Sequence, residues 1–329
     1  MVTAPHDSML WCADRWRKRL GGYRCLLALL SWAAGGCTLG EVTATEGGDV
    51  LVVESHLEAG GARQAVLLHR SLQGELVRGE PGAIVTITGP DGDVIPLGQL
   101  PLEFCAGAVS PELTDSLAVA ATCYATDFVD RGRVRPGETY ELEVVTRGGE
   151  RVRGRTTVPG QFAFRAPPAQ GEFSACTLPQ GTNLPLVWTR AKGAWSYLAT
   201  MEVMGLRAAL EGTGIEAPER LELTGLAISE SDTTLVIPAD FGLFELGNVA
   251  TELLVYLQQG FPPGVSVRLR LAALDRNYVN AIRGGSFNPS GPIRLSTVVG
   301  DGVGVFGSYV AHDLFIVIES TSPLPDCLQ

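Results

Sequence analysis

The residues of this chain that carry chemistry are few, and their spacing argues against most reactions. Gly302-Val303-Gly304-Val305-Phe306-Gly307 spells G-x-G-x-x-G, the pattern with which a strand turns into a helix whose N-terminus meets a dinucleotide pyrophosphate. The segment after it, Tyr309 to Ile318, is a β-rich run with no helical period. The glycines therefore predict a bend or bulge that lets the chain cross a sandwich edge, and no nucleotide site. His56, His69 and His312 stand far apart, with none in an H-E-x-x-H or i,i+4 pair; each reads as a surface or half-buried strand residue, and no metal is expected. Asp91-Gly92-Asp93 lacks the further oxygen ligands of a calcium loop and reads as a turn. Ser286 has neither a G-x-S-x-G nor an S-x-x-K context. No catalytic residue and no cofactor is assigned, and the chain is read as non-enzymatic. One polar and aromatic cluster remains: Asp275, Arg276, Tyr278, Asn280 and Arg283. Tyr and Arg are enriched where surfaces bind partners, which makes these five the candidate partner-binding residues.

Asp275 suits a helix N-cap and Gly284-Gly285 a C-terminal stop, so the cluster is expected on a short helix over 275–283. Nearly everything else after Val50 reads as short β-runs punctuated by turns. Asp49–Glu54, Ala65–His69 and Ala83–Thr88 are strand-like, and Pro90-Asp91-Gly92 supplies a turn. Tyr140–Val145 and Glu150–Thr156 flank Gly148-Gly149 as a hairpin, with Tyr140, Leu142 and Val144 on the packed face. Pro136-Gly137-Glu138-Thr139-Tyr140 resembles the tyrosine corner of immunoglobulin-like sandwiches. Ser110-Pro111-Glu112 predicts a helix start within the loop that carries Cys105 and Cys123. Val158-Pro159-Gly160 and Arg165-Ala166-Pro167-Pro168 mark a boundary. Beyond it, Leu186 to Tyr197 looks like the second and third strands of a fibronectin type III module, and Asn248–Gln258 is read as a strand. The expected fold class is all-β: two consecutive β-sandwiches, immunoglobulin-like over 48–160 and fibronectin type III-like over 161–329, the second with a short helix.

The start of the chain reads as an address. Arg15, Arg17, Lys18, Arg19 and Arg24 precede the nine-residue apolar run Leu26–Ala34 and then Gly35-Gly36-Cys37, the three regions of a secretory signal peptide over 1–36. Nine residues fall well short of the roughly 20 that span a bilayer as a helix. Small residues directly before Cys37 match a bacterial lipobox, so Cys37 is the expected lipidation site and 37–47 the lipidated linker. Cys12 and Cys25 leave with the leader, and Cys105, Cys123, Cys176 and Cys327 remain for pairing in an oxidising compartment. Four cysteines permit three connectivities; the favoured one joins Cys105 to Cys123 and Cys176 to Cys327.

The lipobox, Asp49–Glu54, Pro136–Tyr140 and the tail from Phe287-Asn288-Pro289 to Gly302–Gly307 together resemble a domain-of-unknown-function family of bacterial envelope lipoproteins, commonly encoded beside TonB-dependent outer-membrane receptors. The resemblance covers about residues 48–318 and implies an accessory role at the outer membrane, with a lipid anchor in the membrane and a TonB-dependent barrel as partner. It supplies no catalytic residues. A structural or adhesive surface module is the alternative, and an extracytoplasmic hydrolase with dispersed catalytic groups a more distant one. The resemblance leaves open which membrane face the protein occupies.

Composition supports export and narrows the partners. The 329 residues carry a net charge of −11. Loss of residues 1–36 removes five basic and two acidic residues, leaving 20 against 34 and a net charge of −14. Such a surface lacks the field that releases counterions from phosphates, so nucleic acid is excluded as a partner. Anionic lipid repels it too, and membrane residence rests on acyl chains.

Overall fold

Residues 49–70, 78–105, 121–127, 129, 132–168, 174–226, 229, 231–241, 250–283, 296–319 and 324–328 are described by a computed structural model. The leader, Cys37, the Ser110-Pro111-Glu112 helix start, Gly284-Gly285, Ser286 and Phe287-Asn288-Pro289 lie outside the described residues. The chain is all-β, with strands β1 (Leu51–Ala59), β2 (Ala65–Arg70), β3 (Arg78–Gly79), β4 (Ile84–Thr88), β5 (Val94–Leu100), β6 (Thr122–Ala125), β7 (Thr139–Val145), β8 (Arg151–Thr157) and β9 (Phe164–Ala166). Downstream are β10 (Ser174–Leu178), β11 (Leu184–Trp188), β12 (Ser196–Met204), β13 (Arg220–Leu226), β14 (Thr234–Ile237), β15 (Ser266–Leu274), β16 (Val298–Gly300) and β17 (Gly302–Ile318). Among the described residues they are interrupted by the short helices α1 (Leu206–Ala209), α2 (Thr251–Leu257) and α3 (Arg276–Arg283) and by a 3-10 turn at Leu102–Cys105. Among the described residues, no helix is long and apolar enough to cross a membrane.

The expected turns and alternation form as read. In β7 and β8 buried and exposed residues alternate along the whole hairpin, and the amide of Gly149 closes its turn on the carbonyl of Thr146 at 3.0 Å. Tyr140 is fully buried; its hydroxyl donates to the carbonyl of Arg133 and accepts from the amide of Arg135, both at 2.9 Å. That geometry is a tyrosine corner. Tyr197 repeats the device downstream, its hydroxyl accepting from the amide of Ala191 at 2.8 Å.

Sheet order is β13-β12-β15-β17-β1-β2-β6-β5-β4-β7-β8-β16, with β14-β11-β9 as a separate three-stranded sheet. Strand β5 turns the corner, pairing with β4 through Val94–Leu97 and with β6 through Gly98–Leu100. Strand β17 is the organiser. Along one edge its first nine residues run parallel to β1, Leu51 opposite Gly302 through Ala59 opposite Val310, and β10 then takes over opposite Leu314–Ile318. On the other edge β15 pairs antiparallel from Tyr309 to Val317. A strand from the expected second half is thus paired with the opening strand of the first, and one contiguous buried cluster runs from Leu51, Ile87 and Tyr140 to Trp188, Leu269 and Ile316. The residues from Glu46 to Gln329 form one compact unit.

Two expectations are corrected. Asn248–Gln258, read as a strand, contains helix α2: Leu253, Leu254 and Leu257 are buried on one helical face, whereas Val255, which a strand would bury beside Leu253 and Leu257, is 51% exposed. The Gly302–Gly307 pattern lies inside the continuous 17-residue strand β17 instead of at a bend. Its glycines are there for close approach. A Cβ on Gly304 would collide with the carbonyl oxygen of Val53, at a φ of +139° that side chains avoid, and one on Gly307 would sit 2.9 Å from the amide nitrogen of Tyr278.

Both cystines form as favoured, Cys105 with Cys123 and Cys176 with Cys327, and all four residues are buried. The second closes the chain end over β10, where the amide of Thr177 donates to the carbonyl of Pro325 at 2.8 Å and that of Cys327 to the carbonyl of Thr177 at 2.9 Å.

Candidate functional site

The expected helix starts where its cap residue stands, and the cap turns out to be a hub of the fold. Asp275 follows the last residue of β15 and is buried at 5% exposure. Its Oδ1 accepts from the amides of Tyr278 at 2.8 Å and Ser308 at 3.1 Å, and its Oδ2 from the hydroxyl of Thr156 at 2.6 Å. With the Thr156 proton committed to Asp275, the Ser308 hydroxyl, 2.7 Å away, donates to Thr156. Asp275 therefore joins β8, β17 and α3 in one buried network. Burial raises its pKa above the ordinary carboxylate value, opposed by these donors.

Asn277 continues the same task. Its side-chain amide donates to the carbonyls of Arg155 and Phe306, both at 2.8 Å. Thr297 Oγ1 accepts from the amide of Phe306 at 2.9 Å, and Ser296 Oγ from that of Gly304 at 3.2 Å. Short polar side chains thus satisfy the edge of β17 where β15 has ended, which a buried backbone requires.

Tyr278 points to the sheet. Its ring lies 4.0 Å from that of His56 and 5.7 Å from that of Tyr309. Burial pushes its phenol up to about 12 and raises that of Tyr309 as well. Tyr309 donates to Glu58 at 3.2 Å; Glu58 pairs with Arg270, and Asp313 with Arg268 at 3.0 Å. Of the five candidate residues, then, Asp275 and Tyr278 face inward and hold the sheet, and Asn280 is half-buried. Arg276 is exposed, its guanidinium 5.0 Å from the centroid of the Trp195 ring. The side chain of Arg283 lies outside the described residues.

Trp195 is the residue that the sequence reading passed over. It is 46% exposed, which leaves about 2–3 kcal/mol of indole burial unrealised. It ends a turn whose backbone is fixed from several sides. The amide of Ala194 bonds the carbonyl of Ala191 at 3.3 Å around Gly193 (φ +79°), the amide of Gly160 bonds the carbonyl of Lys192 at 2.8 Å, and the amide of Trp195 bonds the carbonyl of Leu274 at 2.8 Å. Lys192, three residues before Trp195 in the same turn, is exposed. The signal was available in Lys192-Gly193: a turn dipeptide just before an aromatic residue that strand alternation does not bury.

The remaining polar features are engaged within the fold. His56 and His69 are both 7% exposed and share the face of β1 and β2 that carries Glu54, with His69 Nε2 3.9 Å from Glu54 Oε1. They are buried strand residues, with His69 opposite Val52 in the β1–β2 register and so four residues along the strand from His56. His312 packs edge-on against Phe162 at 4.6 Å, and burial lowers its pKa, which keeps the ring neutral. Asp91 and Asp93 pair with Arg135 at 2.6 Å and Arg133 at 3.2 Å. Among the described residues, no group of three His, Cys, Asp or Glu side chains is placed to hold a metal. A shallow depression of about 450 Å³ beside Asn277 is lined by Glu141, Glu143, Arg153, Arg155 and Thr297. Its charges lie in facing pairs, Arg153 with Glu143 at 2.9 Å and Arg155 with Glu141 at 3.9 Å.

Comparison with known proteins gives one family match. Residues 41–186 match the family model described as "Domain of unknown function (DUF4249)". No curated protein matches. Similar solved structures include a DUF4785 family protein from Legionella pneumophila, 13% identical, covering 67% of this chain and 51% of that one with a TM-score of 0.21. Fibronectin(III)-like modules of Clostridium thermocellum CbhA are 11% identical, covering 82% of this chain and 95% of that one with a TM-score of 0.16. Alpha-2-macroglobulin from Escherichia coli is 9% identical, covering 69% and 14% with a TM-score of 0.20. The chain spans about half the length of the Legionella protein.

Proposed function

We propose that this chain is an exported envelope protein, lipid-anchored through Cys37 at the outer membrane, that works by binding as an accessory partner of a TonB-dependent receptor. The basic and apolar leader that ends at Cys37 supports export and anchoring. Two buried cystines suit an oxidising compartment, where such bridges persist. The match of residues 41–186 to a family of unknown function is compatible with the envelope-lipoprotein resemblance.

The observation that carries the binding reading is how α3 divides its side chains. Asp275, Asn277 and Tyr278 hold the sheet together, whereas Arg276 turns outward onto the exposed indole of Trp195. An exposed Trp–Arg pair has the composition of a contact hot spot. Isolation of the tagged full-length protein from gently solubilised outer membranes tests the reading: a TonB-dependent barrel is expected to co-purify. Repeated recovery without any barrel protein contradicts it.

A further inference from the structure

We propose that Lys192, Trp195 and Arg276 form a binding site for an acidic saccharide, a pyranose chain bearing carboxylates; the assignment deepens the reading of this face as a binding face and rests on it. The backbone beneath the site is held before any ligand arrives, by Tyr197 Oη, by Gly160 and by Leu274. The side chains it presents are exposed. A loop already fixed by its main chain binds without a backbone ordering penalty, so only its side chains remain to be ordered.

Charge picks out the same residues. On this acidic chain most arginines of the strands face carboxylates, as Arg70 does Glu80 at 2.6 Å, Arg153 does Glu143 at 2.9 Å and Arg220 does Glu202 at 2.7 Å. Among the described residues, neither Arg276 nor Lys192 has such a partner within ion-pair distance; Arg276 faces an aromatic ring instead. Lys192 is also the sole lysine after Lys18. At physiological salt the net charge of the molecule is screened beyond about 8 Å, so a bound group at this turn responds to these local cations. The ligand chemistry is set by the parts. A flat indole suits the C–H face of a pyranose, a guanidinium fork grips a carboxylate with two parallel hydrogen bonds, and an ammonium adds a point charge. A neutral sugar leaves both cations without purpose, and a simple anion leaves the indole without one.

Titration of the chain from Thr38 onward, which contains the compact unit Glu46–Gln329, with tetragalacturonate and with neutral maltotetraose tests the assignment by calorimetry and tryptophan fluorescence. Tetragalacturonate is expected to bind at least about tenfold tighter than maltotetraose. Trp195→Ala and Arg276→Gln are each expected to weaken it by about tenfold or more with an unchanged melting temperature. Equal affinity for the two sugars, no binding of tetragalacturonate, or affinity untouched by both variants overturns the proposal. Trp195-dependent binding of phosphatidylglycerol vesicles without saccharide binding overturns it in favour of a lipid headgroup. A barrel that still co-purifies when no saccharide binds leaves the binding-partner reading standing while the ligand assignment falls; loss of both removes both.

Discussion

Asp275 joins β8, β17 and α3 through one buried carboxylate, and its chemistry makes a pH prediction. Burial raises its folded pKa above the ordinary 3.8. Its contribution to stability is therefore fully present below about pH 4 and is lost as pH rises through the elevated folded value. Asp275→Asn keeps Oδ1 as acceptor for the two amides, turns the Thr156 contact into one that the side-chain NH2 donates, and removes the titration, so it is expected to flatten the stability profile above about pH 4. Asp275→Ala leaves the Ser308 and Tyr278 amides and the Thr156 hydroxyl without their acceptor, at about 2–4 kcal/mol. Urea unfolding at a series of pH values measures both; an Asn variant with the unaltered pH slope contradicts this role. The sequence marked Asp275 as an N-cap, and that part was legible because capping is local. Its partners Thr156 and Ser308 were not, since they are 119 and 33 residues distant and no spacing rule connects them to it.

Among the elements, β17 shows most clearly what local reading reaches and what it misses. Its strand character from Tyr309 onward was plain, and so was the failure of the nucleotide pattern. The reason for its glycines was hidden, because the backbone that Gly304 admits belongs to β1, about 250 residues earlier in the chain, and the backbone that Gly307 admits belongs to α3. Gly304→Ala is accordingly expected to lower stability by about 4 kcal/mol or more, or to prevent folding, since it combines a steric collision with a strained φ. A loss below about 1 kcal/mol in urea unfolding would falsify the close-approach account. Helix α2 teaches the complementary lesson. Leu253 and Leu257 fit both a helical and an extended face, and only the core decides between Leu254 and Val255 as the third buried position. Tyr140 was readable because its hydrogen-bond partners lie within seven residues of it.

At the scale of the whole molecule, one long strand and the cystine from Cys176 to Cys327 bind distant parts of the chain. Setting aside the cysteines of the expected leader and the expected lipidation site gave the four that pair, because elimination needs no geometry; it left three connectivities open, and the short loop from Cys105 to Cys123 favoured the one that forms. The bridge from Cys176 to Cys327 spans 151 residues of sequence, and replacing both cysteines by alanine is expected to cost about 2–4 kcal/mol. A lowered urea midpoint is the expected result; an unchanged one contradicts a stabilising clasp. The division of α3 between sheet and solvent leaves Arg276 and Trp195 exposed together on an acidic chain, and the proposed export and anchoring would set that pair before a partner at the outer membrane. The most direct test is quantitative isolation of the tagged protein and its Trp195→Ala and Arg276→Gln variants from outer membranes, with TonB-dependent barrels measured in each eluate. The account predicts a barrel in the unaltered sample and its depletion by about tenfold in both variants at equal protein yield. Barrel recovery that is absent throughout, or identical in all three, contradicts it.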